Sequence, residues 1–387
     1  MKIAIIGAGA VGTALTKLFC NDNSTDSVIL IDRNGSILNA LSQSLSDCTK
    51  LRTHRLGIEN RVAVKSLIKG FDCLISALPH NNNFDLAQLA LEARIHYIDF
   101  GADDKILEKQ MGLHDRASSE GIWLIPNSGL APGLLNILVL KAFEQFESVR
   151  KIHIRAAGLP TNPEPPLNYY LSFSVQGLLS EYLNPAYVIE NGKAEYVNSL
   201  DGYERMTFAT RPEIGELEAF YTSGQSSSLV RHLEGRVNEL NFKTLRYPGH
   251  RDIMKTVFNL GLASKQIIDV RTNLTYRELL VRQLQKYLPQ QVEDVVLAKV
   301  LVEGVKEGRH VHLNYEIVHS YDHKNEMSAQ MACTAIPALL IARQLTRNML
   351  PATGGARPPE LVIDKNQFFE DIRETGISIH KNEFEPG

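Results

Sequence analysis

The hexapeptide Gly7-Ala8-Gly9-Ala10-Val11-Gly12 follows directly on the apolar run Ile3 to Ile6 and opens into a helical pattern from Val11 to Cys20. Glycine at these three places has three uses: one makes the tight turn, one lets the backbone approach a pyrophosphate, and one packs helix closely on strand. The free amides and positive end of the helix then face the phosphates. Asp32 closes the next apolar run, Val28 to Ile31. A carboxylate there accepts hydrogen bonds from the adenosine ribose 2′-hydroxyl and repels a 2′-phosphate, so NAD is expected and NADP is disfavoured, with Arg33 weakening the exclusion. The expected dinucleotide contacts in this stretch are Gly7, Gly9, Ala10, Val11, Gly12, Asp32 and Arg33.

The same alternation continues. Cys73 to Ser76, Tyr97 to Phe100 and Ile122 to Ile125 are short apolar runs, separated by helical patterns such as Phe84 to Ala93 and Asp104 to Ser119. Short apolar strands alternating with helices predict right-handed crossovers and a doubly wound parallel sheet covered on both faces. In such a sheet ligands sit at the carboxyl ends of the strands. Three loops there carry suitable groups. Ala77, Leu78, Pro79 and the Asn81 to Asn83 run follow one strand, with Ala77, Leu78 and Pro79 expected at the cofactor and Asn81 at the substrate. Asp99 and Gly101, in the loop Asp99 to Asp103, are expected at the cofactor. Pro132 and Gly133 lie in Asn127 to Asn136, at a helix start whose amides can face an anion. The character changes after Phe146: four prolines (Pro160, Pro163, Pro165, Pro166) forbid helix, and longer strand patterns at Asn241 to Tyr247, Val295 to Glu303 and His310 to Ser320 predict an antiparallel or mixed sheet. A helical pattern returns from Ser328 to Arg347.

Composition narrows the function classes. The 387 residues imply more than one folding unit, and 41 Lys+Arg against 44 Asp+Glu leave a net charge of −3. No basic field exists for a nucleic-acid backbone or an anionic membrane. The apolar stretches Leu130 to Phe143 and Met331 to Ala342 are too short or interrupted to span a bilayer, and the N-terminus lacks the apolar core of a signal peptide. The 4 cysteines show neither zinc-site nor disulfide-framework spacing, which suits a reducing compartment. A cytoplasmic location is expected.

Several longer motifs resemble the saccharopine dehydrogenase-like family, and within it the L-lysine 6-dehydrogenases. They are GAGAVG at Gly7 to Gly12, SGLAPGLLNIL at Ser128 to Leu138, GLPTNPEPPLNYYLSFSVQGLL at Gly158 to Leu179, LEAFYTSGQSSSL at Leu217 to Leu229, KTLRYPGH at Lys243 to His250 and PPEL at Pro358 to Leu361. The resemblance implies an α/β Rossmann-type domain over residues 1–126, an α+β substrate and dimerisation domain over 127–322, and a segment 323–387 packing back on the first. It also implies oxidative deamination of the lysine ε-amino group with NAD to the 6-semialdehyde, which cyclises to piperideine-6-carboxylate. Ala131 stands where saccharopine reductases carry Asp, and Gln225 stands where a second glycine is expected.

That reaction sets chemical requirements. Hydride leaves a carbon bearing nitrogen only after the ammonium has lost a proton, so a base working near neutral pH is needed, usually a histidine. Of the 12 histidines, His250 is the first candidate and His80 the second. The substrate carboxylate calls for a cation, best Arg246 with its bidentate fork, less well Lys243. Tyr169, Ser174, Tyr221, Ser223 and Tyr247 offer hydrogen bonds to a small polar ligand. His310 and His312 alternate on one strand, but the chemistry needs no metal and none is expected. Three readings follow: an NAD-dependent dehydrogenase of lysine or a close ω-amino acid, a saccharopine-type reductase working through an imine, and an NAD(H)-binding sensor without turnover. The expected partners are a small amino-acid substrate and a second copy of the chain, as a homodimer or higher homo-oligomer, with neither nucleic acid nor membrane.

Overall fold

A computed structural model describes residues 1–101 and 103–385; Ala102 of the second loop, Pro386 and Gly387 lie outside the described residues. The chain forms two compact units. The first comprises Met1–Lys141 and Met331–Ile377; the second comprises Ala142–Gln330 and takes in the closing strand Ser378–Phe384. The chain therefore returns to the first unit at Met331, later than the expected 323, and leaves it again. The reason is the last strand, which pairs in register from Ser378 to Phe384 with Val318 to His312 of the second unit.

Among the described residues the first unit has a seven-stranded sheet in the order Gly355–Ala356, Trp123–Ile125, His96–Ile98, Cys73–Ser76, Lys2–Ile6, Ser27–Asp32, Leu51–Arg55. Every pairing is parallel. Ile3, Ile5, Val28, Leu30, Leu74 and Ile75 are fully buried because helices cover both faces. The strand Lys2–Ile6 lies between Ser27–Asp32 and Cys73–Ser76, so chain order reverses there. Loops leave such a switch point in opposite directions and open a crevice. The glycine loop and the Ala77 loop are fastened beside it by Gly7 N donating to Ile31 O (2.9 Å) and Ala77 N to Ile6 O (2.8 Å).

Two strands have no clear sequence signal. Leu51–Arg55 reads LRTHR, because an edge strand needs little apolar surface, and Gly355–Ala356 is only two residues long. The helical pattern Asp104 to Ser119 divides into Asp104–Met111 and His114–Ser119. The cysteine reading also changes: Cys20 and Cys48 form a disulfide, Cα–Cα 5.8 Å, while Cys73 and Cys333 are buried thiols outside it. Cys20 closes the first helix and Cys48 follows the second, so only the crossover packing brings them together.

Among the described residues the second unit has a nine-stranded mixed sheet: Glu204–Met206, Leu217–Tyr221, Glu239–Arg246, Ser148–Pro160, Asp294–Lys306, Arg309–Ser320 and Ser378–Phe384 in order, with Ala186–Glu190 pairing off this path with Glu239–Arg246 and with Lys193–Val197. Glu239–Arg246 runs parallel to Ser148–Pro160 and antiparallel to Leu217–Tyr221. Side chains alternate along a strand. Leu245 joins Leu217, Ala219 and Leu297 on one face, and Thr244 and Arg246 point to the other, where Phe220 packs with Leu178, Tyr182 and Met254. Among the described residues no helix is long and apolar enough to cross a membrane.

The glycine turn yields a direct test. A Cβ on Gly12 would lie 1.8 Å from the Gly7 carbonyl oxygen. Gly12→Ala is expected to cost about 1–3 kcal/mol, the range for overpacking a tight site. A lower urea midpoint together with weaker NADH binding checks it.

Candidate functional site: a dinucleotide cradle and a buried arginine

Gly9 caps the helix Ala10–Asn21, which has no side-chain cap and no acidic residue in its first turn, so the helix end keeps its positive character. Gly7 (φ +105°) and Gly12 are packed against backbone, whereas a Cβ on Gly9 would touch nothing within 4 Å. Gly9 and Ala10 are exposed. The turn is thus closed beneath and open where a pyrophosphate would approach. Asp32 accepts from Ala8 N (2.7 Å) through Oδ2 and from Asn34 N (2.7 Å) through Oδ1, and each oxygen retains capacity for a ribose hydroxyl. Arg33 is exposed beside it. These residues fit a dinucleotide.

The other two loops are tied up more than expected. Asp99 is fully buried and accepts from Gly101 N (2.8 Å), Asn127 N (3.3 Å) and Gln110 Nε2 (2.6 Å). Burial raises its pKa. Its carboxyl splices two loops together; Gly101 (φ +68°) is required because a Cβ would strike Asn127 Oδ1. Pro132 and Gly133 are buried in a turn where Gly129 N donates to Pro132 O, and a Cβ on Gly133 would meet Gly129 O at 2.0 Å. Two amides at the start of the following helix are used within the turn, Leu134 N on Gly129 O and Leu135 N on Leu130 O, which leaves fewer donors there for an anion. Ala77 and Leu78 stay partly accessible and Pro79 and Asn81 exposed, with His80 on the short turn His80–Asn82.

In the second unit Arg246 ends the strand Glu239–Arg246 at 3% exposure. Nε donates to Tyr182 Oη (2.9 Å), and Nη1 donates to Thr244 Oγ1 (3.1 Å) and Leu245 O (2.7 Å). The guanidinium lies 4.7 Å over the Tyr169 ring and 5.8 Å over that of Tyr182. Among the described residues it forms no ion pair, and Nη2 makes no hydrogen bond. A buried cation without a carboxylate is costly, and the tyrosine rings offset only part of that. Tyr169 Oη is itself buried without a hydrogen-bond partner.

His250 opens the helix His250–Asn259 at 1% exposure. A carbonyl only accepts, so Nδ1–H donates to Leu167 O (2.9 Å), and Nε2 then accepts from Tyr182 Oη (3.0 Å). Burial and the nearby Arg246 push its pKa down to about 3. An imidazole held this way does not collect a proton near neutral pH, so His250 orients Tyr182, which in turn orients Arg246. That replaces the base role expected of it.

Lys243 is three positions from Arg246 and faces the other side of the sheet. There it pairs with Glu204 (2.8 Å) beneath Arg155, which bonds the same carboxylate, and lies 5.0 Å over the Tyr221 ring. Lys243 and Tyr221 therefore belong to a separate ion-pair group and do not share a ligand with Arg246. Ser174 caps the helix Val175–Leu183 through Gly177 N (3.1 Å). Ser223 bonds Ser180 O (3.1 Å) and Tyr247 bonds Pro160 O (2.9 Å), both structural uses. Sequence reasoning missed Tyr182, Glu181 and Thr244. The signal for Thr244 was its parity with Arg246; Glu181 and Tyr182 sit in an ordinary amphipathic helix and carried none.

A parallel nucleotide sheet with an open glycine turn, joined in sequence to a mixed-sheet unit with a buried arginine, defines a dinucleotide-binding protein of two units. Residues 3–125 match the family model for the saccharopine dehydrogenase NADP binding domain and residues 129–377 that for the saccharopine dehydrogenase C-terminal domain, so the chain belongs to the saccharopine dehydrogenase family. It is 25% identical over 247 residues to the alpha-aminoadipic semialdehyde synthase of Arabidopsis thaliana, covering 60% of this chain and 23% of that protein. Against the NADP(+), L-glutamate-forming saccharopine dehydrogenase of Pyricularia oryzae it is 24% identical, covering 54% of this chain and 48% of the relative. The chain thus spans less than half the length of these relatives. The fold matches that of apo saccharopine dehydrogenase (L-Glu forming) from Saccharomyces cerevisiae with a TM-score of 0.80 at 15% identity, covering 99% of each chain.

Glu181 provides a pH test. Burial pushes its carboxyl from 4.5 up to about 7, against the pull of Arg246 and the Gln225 amide. The folded state then holds a proton that the unfolded chain has released, so stability from this group falls as pH rises through that interval. The melting temperature of the wild type, measured relative to E181Q, is expected to decline between pH 5 and 8.

Proposed function

We propose that this protein is an NAD-dependent dehydrogenase that oxidises the amine-bearing ε-carbon of L-lysine or a close ω-amino acid, giving the 6-semialdehyde and its cyclic imine. The observation that carries the reading is Arg246, a buried guanidinium with an unpaired donor edge, suited to an α-carboxylate. Tyr182, held by His250, fixes the plane of that edge, and Tyr169 Oη offers a further donor. Bound NAD supplies the hydride acceptor; Asp32 favours it over NADP, although the Pyricularia oryzae relative is named for NADP(+). The substrate ammonium first gives up a proton to a base, since hydride leaves only from the neutral amine. Loss of hydride leaves an iminium carbon, to which water adds as ammonia leaves. Assembly as a homodimer belongs to the same proposal and rests on the family resemblance.

A saccharopine-type activity is the second reading, favoured by the names of the relatives. A substrate panel decides. Purified protein with NAD or NADP and L-lysine, ornithine or saccharopine at alkaline pH is expected to form NADH with lysine, at a kcat/KM at least tenfold higher for NAD than for NADP. Turnover with saccharopine alone overturns the lysine reading, and cofactor binding without any turnover replaces it with a sensor. Arg246→Lys removes the fixed fork while keeping the charge, and is expected to raise KM for lysine about tenfold or more with a smaller change in kcat. An unchanged KM removes the anchor.

A further inference from the structure

We propose that Cys20 and Cys48 form a reversible thiol–disulfide site, through which a small disulfide or thiol sets how tightly the first unit holds a dinucleotide. The proposal rests on the glycine cradle and Asp32 as the dinucleotide site, not on the choice of substrate. The two cysteines are 28 positions apart with Cα atoms 5.8 Å apart, and their bond encloses the strand Ser27–Asp32 and the helix Gly35–Ser44. Both are half-buried and within reach of a small reagent, whereas Cys73 and Cys333 are fully buried and take no part. One such bond in a chain with two buried thiols is no disulfide framework, and accessible disulfides are the ones that exchange with outside thiols.

The bond joins two segments that are packed very differently. The helix Ala10–Asn21 starts at the glycine turn and buries Gly12, Ala14, Leu15, Thr16 and Phe19, and Cys20 stands at its far end. The helix Gly35–Ser44 buries only Leu38 and Leu41, and the strand Leu51–Arg55 after Cys48 buries no residue. A loosely packed arm is thus tied to a firmly packed helix. The near end of that arm carries the ribose site: Asn34 caps the helix Gly35–Ser44 by accepting from Ser36 N (3.0 Å), and its own amide donates to Asp32 Oδ1 (2.7 Å). With the bond closed the arm keeps Asp32 on Ala8 N (2.7 Å), one residue before the open Gly9. Once the bond is open, Lys50 Nζ donating to Asp22 O (2.8 Å) still links the two segments, but one hydrogen bond at the surface holds an arm far less firmly than a covalent link. A dinucleotide must then order the arm as it binds, and its affinity falls accordingly. In the exchange two cysteine thiols and one glutathione disulfide give the Cys20–Cys48 disulfide and two glutathione thiols; the cysteines are oxidised, the glutathione is reduced, and each cysteine proton passes to a glutathione sulfur.

The full chain, equilibrated with reduced or with oxidised glutathione and then desalted, tests this by thiol titration in denaturant and by NADH calorimetry. Of the 4 cysteines, all are expected to titrate after reduction, and Cys20 and Cys48 are expected to drop out after oxidation. The reduced form is expected to bind NADH about fivefold more weakly and to melt about 5 °C lower, the scale set by one lost cross-link. C20S and C48S are each expected to match the reduced wild type and to bind NADH with one affinity at either glutathione ratio. A bond that stays closed in the folded protein under excess reduced glutathione is a fixed cross-link, and equal NADH affinity of the two forms removes the coupling; either result overturns the proposal. Should neither serine variant fold, the two forms of the wild type still decide, because they share one sequence. Failure of both forms to bind NADH overturns the dinucleotide cradle and this inference together.

Discussion

A guanidinium buried without an ion pair organises the second unit. Arg246 cannot be left to find its own position, because a mobile buried charge would drag water or an acidic side chain toward it. Tyr182, Thr244 and the Leu245 carbonyl hold it on one edge, and Tyr169 and Tyr182 cover it. His250 is the far end of this support: pinned by the Leu167 carbonyl and kept neutral by burial, it presents Nε2 to Tyr182 and fixes which way the phenol points. A chain of neutral groups thereby aims a charged one without neutralising it.

Strand parity explains why two cations so near in sequence have different work. Lys243 meets a carboxylate shared with Arg155, and that group closes on itself through Glu204 and Asn241. Arg246, on the opposite face, forms no ion pair among the described residues. Charge satisfied within the protein holds a sheet together; charge left over is available to a ligand. The same distinction separates the loops of the first unit. The Asp99 carboxyl is consumed by Gly101, Asn127 and Gln110, whereas Asp32, bonded once at each oxygen, still has lone pairs to give.

The cradle was readable because its requirements are local. Gly7, Gly9 and Gly12 act within a few residues of one another, and Asp32 ends the neighbouring strand, so spacing carries the geometry. The arginine pocket draws on Leu167, Tyr169, Tyr182, Thr244, Arg246 and His250, from three separate stretches of chain. His250 and Arg246 were visible as a motif, yet their roles depended on what surrounded them. A histidine's chemistry follows its burial and the partners of its two nitrogens, and neither is written in its neighbours.

By itself the sequence determined the doubly wound parallel sheet, the glycine turn at its switch point, the acidic residue at the ribose position and the family, because strand and helix periodicity and glycine spacing are short-range properties. Tertiary structure alone decided that Cys20 meets Cys48, that the closing strand Ser378–Phe384 belongs to the second unit, that Asp99 and Pro132 serve the loops, and that Lys243 and Arg246 look away from each other. Each of these depends on which distant segments pack together, and packing determines which polar groups are spent inside the protein and which remain for a ligand.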